Sequence, residues 1–260
     1  MTDPNLTRRH SRGTVQLFQA DALAILAQLP DGLVDLVLTD PPYSSGGLYR
    51  GDRASQSTRQ KYQFTNARLV HPEFSGDNRD QRGWGYWSAL WLAEARRVTR
   101  RGGVVAMFAD WRQLATATDA IQAGGWVFRG IVPWDKTEAA RPHQGRYRSQ
   151  CEFVVWGSNG PMEHAGPCLP GLVRAAVNAR TKIHAAEKPL AIMRDLARIA
   201  WRPEAVILDP FMGSGTTGLA AIEHGAGFLG IECDRTIYEQ AAGRIVEALD
   251  RMEAAAPCSN

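Results

Sequence analysis

An apolar run from Leu33 to Leu38, broken only by Asp35, meets Asp40-Pro41-Pro42-Tyr43 and can go no further. Two successive prolines remove backbone donors and fix φ, so a strand built from the run must stop there. A short continuous run suits a strand buried on both faces, the kind found in parallel sheets covered by helices. A carboxylate, two rigid prolines and an aromatic ring are then left at the carboxyl end of a core strand. Ligands bind at that end of open α/β sheets. The same four residues can equally form an ordinary turn, and the rest of the chain has to choose.

Elsewhere the pattern alternates. Strand candidates at Val15–Phe18, Val104–Ala109, Trp126–Pro133, Cys151–Trp156, Ala205–Leu208 and Gly227–Ile231 bring the number to seven. Between them lie amphipathic helices: one opened by Asp21, one over Trp84–Thr99 closed by Arg100-Arg101-Gly102-Gly103, and one capped by Asp110. Others cover Pro189–Ile199, Leu219–His224 and Thr236–Met252. Strands alternating with helices predict an α/β fold with a mostly parallel sheet and crossover helices. At 260 residues one core is expected: a domain over 14–252, a flexible arm over 1–13 and a tail over 253–260.

The totals narrow the class of function. No apolar run approaches the roughly 18 residues needed to span a bilayer, so no membrane partner is expected. Arg8, Arg9, His10 and Arg12 stand where a signal peptide would be apolar. Cys151, Cys168, Cys233 and Cys258 lack paired spacing, which points to a reducing cytosol and to neither zinc nor a disulfide scaffold. No His-Glu-x-x-His pattern occurs, so no metal is expected. A net charge of +3 permits an anionic partner without requiring one.

The basic residues are clustered. Ser44–Gly85 is polar and Gly-rich, with Arg50, Arg53 and Lys61 among its cations and Tyr49, Tyr62, Phe64 and Phe74 interleaved. Such a mix suits phosphates and exposed bases, although a solvated loop would look similar. Its place directly after Tyr43 favours a substrate-contacting flap. Arg141, Arg146 and Arg148, with Tyr147, form a second candidate for phosphate contact. Residues 158–183 read as a small irregular insert.

A second motif, Asp209-Pro210-Phe211-Met212-Gly213-Ser214-Gly215-Thr216-Thr217, follows a strand and opens a helix; Glu232 and Cys233 follow the next strand. Glycines at 213 and 215 let a ligand lie against the backbone, and a helix N-terminus offers free N–H groups. An acid after the neighbouring strand can take both ribose hydroxyls. This reading rests on Gly213 and Gly215 and does not count Gly218. Helix capping alone could explain the two glycines; with Asp209 before them and Glu232 after them, nucleoside binding is the better account.

Taken together, these residues resemble the amino-group DNA methyltransferases that use S-adenosylmethionine, in particular their circularly permuted β class. There the Asp-Pro-Pro-Tyr motif precedes the Phe-x-Gly-x-Gly motif, as Asp40–Tyr43 precedes Phe211–Gly215 here. Asp21 and Ala22 sit where the family places an acid near the cofactor's adenine. His184, Glu187 and Lys188 match the segment that introduces the cofactor half, and Gly230-Ile231-Glu232 matches the ribose-binding acid. The resemblance implies a Rossmann-like, seven-stranded, permuted sheet with helices on both faces.

It also implies S-adenosylmethionine as cofactor and double-stranded DNA, with its target base flipped out, as partner. Asp40, Pro41, Pro42 and Tyr43 would be catalytic. Asp21, Ala22, Asp40, Lys188, Asp209 to Phe211, Gly213 to Thr217, Glu232 and Cys233 would hold the cofactor. Asp at the first motif position favours adenine N6 over cytosine N4. The shortness of residues 158–183 points to short or relaxed sequence recognition, or to help from a second subunit; a homodimer is a further expectation from the family. Methylation of RNA or a protein amide, or an inactive DNA-binding subunit, are the rival readings.

Overall fold

The computed structural model describes residues 4–10, 13–43, 79–140, 142, 144–145, 147–163, 165–176 and 188–255. In chain order, β1 (Asn5–His10) and β2 (Gly13–Gln19) precede α1 (Ala22–Leu26) and β3 (Val34–Thr39). Then come α2 (Gln81–Val98), β4 (Thr99–Ala109), α3 (Leu114–Ala123), β5 (Val127–Asp135), β6 (Cys151–Ser158) and β7 (Val173–Arg174). The chain continues through α4 (Leu190–Ala197), β8 (Val206–Asp209), α5 (Thr216–His224), β9 (Gly227–Glu232) and α6 (Arg235–Ala255). The strands form one sheet in the order β1-β2-β9-β8-β3-β4-β6-β5-β7. From β2 through β4 every pairing is parallel, whereas β6 runs antiparallel to both β4 and β5.

Strand β3 shows why the sheet needs two covers. Leu36 and Leu38 point into one apolar cluster with α4, α5 and α6; Val34 and Val37 point into the other with α1, α2 and α3. Strand β4 repeats the alternation, with Val104, Ala106 and Phe108 on the first side and Val105, Met107 and Ala109 on the second. Each large apolar side chain so buried contributes about 1.5–3 kcal/mol relative to exposure. Asp35, the charge that interrupts the run, is used as a tie: its carboxylate accepts from Arg100 Nε in β4 and from the Val206 amide at 2.9 Å in β8.

Five expectations need correction. Residues 5–10 are not an arm but the edge strand β1, paired antiparallel with β2 from Asn5↔Phe18 to His10↔Gly13. Their single inward apolar residue, Leu6, gave no period to read; Arg8 instead reaches Asp250 of α6 at 2.8 Å. With β1 and the two-residue β7 added, the sheet has nine strands among the described residues rather than seven. Residues 81–85, assigned to the flap, are the first turn of α2, where Asp80 accepts from the Gly83 amide at 2.7 Å. Arg100 to Gly103, read as a helix end, already belong to β4, whose register shifts between the Val34 and Leu36 pairings while Gly102 adopts φ +77°. Helix α6 takes up residues 253–255, the first three of the expected tail.

Candidate active site

The carboxyl ends of β2, β9, β8, β3 and β4 lie along one edge of the sheet, and the antiparallel β6 begins there. Asp40, Lys188, Asp209 and Glu232 therefore come to this edge from distant parts of the chain. Asp40 leaves β3 and its backbone is clamped over the next three residues. Trp84 Nε1 of α2 donates to the Pro42 carbonyl at 2.7 Å, and Gln113 Nε2, ahead of α3, donates to the Tyr43 carbonyl at 2.9 Å. Two prolines and two side-chain donors leave this segment little freedom.

The Asp40 carboxylate is engaged on both oxygens. Oδ1 accepts from the Tyr43 hydroxyl, and Oδ2 accepts from Lys188 Nζ at 2.5 Å. Lys188 is buried, with its ammonium 5.2 Å from the Tyr43 ring centroid and 5.1 Å from that of Phe108. A second carboxylate, Glu152 of β6, places Oε2 3.5 Å from Lys188 Nζ and Oε1 3.4 Å from Lys136 Nζ. Burial pushes the Asp40 carboxyl up, against the pull of Lys188 and the Tyr43 hydroxyl. Burial works against the Lys188 charge, but Asp40 and Glu152 outweigh it and hold the ammonium above the ordinary lysine value. For Tyr43, burial and the Asp40 charge both push the phenol well up, so it stays a donor.

Asp209 ends β8 directly beside Thr39. Its carboxylate accepts from Thr39 Oγ1 at 2.6 Å, from Thr217 Oγ1 at 2.5 Å and from the Phe211 amide at 3.1 Å. Burial nevertheless raises its pKa to about 6. The first motif is thus joined to the second through one buried carboxylate, since Thr39 immediately precedes Asp40.

The turn that follows has Gly213 at φ +49° and Gly215 at φ +81°, the left-handed region that glycine tolerates without strain. Glu232 reaches across to it, accepting from the Gly213 amide at 3.1 Å and from the Asp234 amide at 2.8 Å. Burial raises the Glu232 carboxyl while those two amides pull it down. The Phe211 ring lies 5.3 Å from Trp87 and 5.2 Å from Trp91. Ser214, Thr216 and Thr217 are buried, Pro210 is buried beside them, and the Ser214 carbonyl accepts from Arg244 at 2.6 Å. Cys233 is exposed. Asp21 caps α1 through Leu23 and Ala24 amides at 2.9 and 3.2 Å, and Ala22 is buried in that helix's first turn.

Of the expected DNA contacts, Arg148 alone lies among the described residues. Arg50, Arg53, Lys61, Arg141 and Arg146 lie outside the described residues, as do His184 and Glu187. Arg148 is described and turns back on its own loop, donating to the Glu138 carbonyl. Sequence reasoning missed Glu152, Lys136, Gln113 and Trp84. Glu152 did leave a signal: it is the one charge within the apolar stretch Cys151–Trp156. Gly218 was also set aside, although it completes a Gly-x-Gly-x-x-Gly run. A Cβ there would lie 2.7 Å from Ile245 and 2.8 Å from Phe228, so it is the close-packing glycine of that helix.

Comparison with known proteins gives the arrangement a context. A family model described as DNA methylase, N6_N4_Mtase, matches residues 34–166 and 167–243. The Escherichia coli (strain K12) protein YubD is 26% identical over 217 residues, covering 84% of each chain. The M1.HpyAVI–SAM complex superposes with a TM-score of 0.63 at 23% identity, covering 89% of this chain and 98% of that one. PvuII DNA methyltransferase, cytosine-N4-specific, gives a TM-score of 0.66 at 15% identity over 95% and 94%. At these identities the structural likeness concerns the fold, which is that of a Rossmann-like methyltransferase.

Proposed function

Because the chain belongs to the N6/N4 DNA methylase family, its reaction is methylation of a DNA base amine, and we propose that the target is adenine N6, presented flipped out of the duplex. The methyl donor is S-adenosylmethionine, which when bound supplies an electrophilic methyl group. The residues fit such a ligand. A Cβ on Gly213 would meet only the Phe211 carbonyl oxygen, at 3.9 Å, so the backbone there faces open space. Glu232 stands across the turn as an acceptor for ribose hydroxyls, and the N-terminus of α5 offers amides to a carboxylate.

An exocyclic amine is a weak nucleophile because its lone pair is delocalised into the ring. Asp40 and the Pro41 carbonyl oxygen accept its two N–H groups, which favours the tetrahedral form and frees the lone pair. The proline pair holds these acceptors in place before the amine arrives, so little reorganisation is needed. Tyr43 stacks on the extruded base. Transfer is then a matter of alignment, and Asp40 receives the proton that the methylated amine sheds.

One observation carries this reading: at the end of β3 a carboxylate is fixed with hydrogen-bond donors on both oxygens, so it already works as a double acceptor. The choice of adenine is supported by Asp40 at the first motif position. Cytosine N4 carries the same pair of N–H donors and would meet the same acceptors. The two are separated by incubating the protein with methyl-labelled S-adenosylmethionine and double-stranded DNA, single-stranded DNA or RNA, then identifying the modified nucleoside. N6-methyladenine in DNA is expected. N4-methylcytosine would move the target, and label absent from DNA would overturn the proposal.

A further inference from the structure

A target amine would meet an Asp40 whose oxygens each already accept one donor, one of them a full positive charge that draws electron density from the acceptor. Tyr43 holds Oδ1 and Lys188 holds Oδ2. The ammonium of Lys188 is buried, so leaving Asp40 without another anion at hand would strand its charge. A second anion is within reach. Glu152 Oε2 lies 3.5 Å from Lys188 Nζ, is itself buried, and has no hydrogen-bond partner among the described residues. A buried carboxylate oxygen is ordinarily satisfied. This one stands beside the ammonium as an open acceptor, while its sister oxygen is held 3.4 Å from Lys136 Nζ.

We propose that Glu152 is a positioning residue for methyl transfer: it is the second seat of the Lys188 ammonium, which passes from Asp40 to Glu152 as the target amine takes Asp40 Oδ2. The inference rests on the reading of Asp40 as amine acceptor. No bond changes and no proton moves in the exchange. Two ammonium groups, Lys136 and Lys188, balance two carboxylates, Asp40 and Glu152, before and after it, so the buried cluster keeps its net charge. Nζ travels between the Tyr43 and Phe108 rings, whose faces attract a cation along the way.

The test is a double-mutant cycle in the full chain, with Glu152→Gln, Lys188→Met and the pair, reading kcat at saturating DNA, donor affinity by calorimetry and Tm. Glu152→Gln keeps the shape and removes the charge, so Lys188 stays on Asp40. Expected is a fall in kcat of at least tenfold with donor affinity within about twofold of wild type. In the Lys188→Met background the same substitution changes kcat by less than threefold, because Glu152 acts through Lys188. A merely structural Glu152 gives the same factor in both backgrounds with a lowered Tm, and that result overturns the inference, as does a wild-type kcat in Glu152→Gln. Should Lys188→Met be inactive, a complex with target DNA decides. Nζ within hydrogen-bond distance of Glu152 Oε2 supports the exchange; Nζ still on Asp40 overturns it. A wild-type chain that transfers no methyl group sinks both readings, whereas an active wild type beside an equally active Glu152→Gln sinks only this one.

Discussion

Asp209 makes the energetic side of this site measurable. Its pKa rises from 3.8 to about 6 because burial disfavours the charged form more than Thr39, Thr217 and the Phe211 amide favour it. The folded protein therefore holds this proton more tightly than the unfolded chain does. The contribution to stability is fully present below about pH 4 and is lost as pH rises through about 6. The shift corresponds to about 3 kcal/mol, of which about 2 kcal/mol disappears between about pH 4.5 and pH 7. Asp209→Asn removes the titration while keeping the side chain's size. Urea unfolding of both proteins across that interval isolates the effect, since every other titrating group is shared. The wild type should lose about 2 kcal/mol relative to the variant. Parallel stability curves would refute the claim that burial dominates at this carboxylate.

Other consequences follow from the same packing. Gly218→Ala forces a methyl against Ile245 and the buried Phe228 ring, and denaturant unfolding should show a loss of about 1–3 kcal/mol despite alanine's better helix propensity. Trp91→Ala empties a fully buried site beside Phe211 and should cost about 3–5 kcal/mol, with weaker binding of S-adenosylmethionine by calorimetry. Glu232→Gln trades charge-assisted hydrogen bonds with the Gly213 and Asp234 amides for neutral ones and loses an acceptor for the ribose; donor affinity should fall at least tenfold.

The parts of the fold that obeyed one rule over several residues were legible in the chain. The apolar run of β3, the proline stop after it and the Gly turn after β8 each have a local cause, and each lies where it was expected. What escaped depended on partners far away in sequence. Strand β1 has one inward apolar residue and is held by its ladder with β2 and by Arg8 reaching Asp250, 242 positions on. Glu152, the partner of the expected Lys188, makes sense only once β6 is seen to run antiparallel to β4, which brings the start of β6 to the same edge as Asp40. Trp84 and Gln113, which pin the segment after β3 through the Pro42 and Tyr43 carbonyls, sit in segments whose own pattern announced only helices.

The central claim is that Asp40 accepts the target amine. The direct measurement is the single-turnover rate of methyl transfer to DNA by Asp40→Ala, with donor binding followed in parallel. Removing the acceptor should abolish detectable transfer, or slow it by at least about a hundredfold, while S-adenosylmethionine still binds, because the loss falls on the developing tetrahedral amine. Transfer by Asp40→Ala at the wild-type rate would contradict the account.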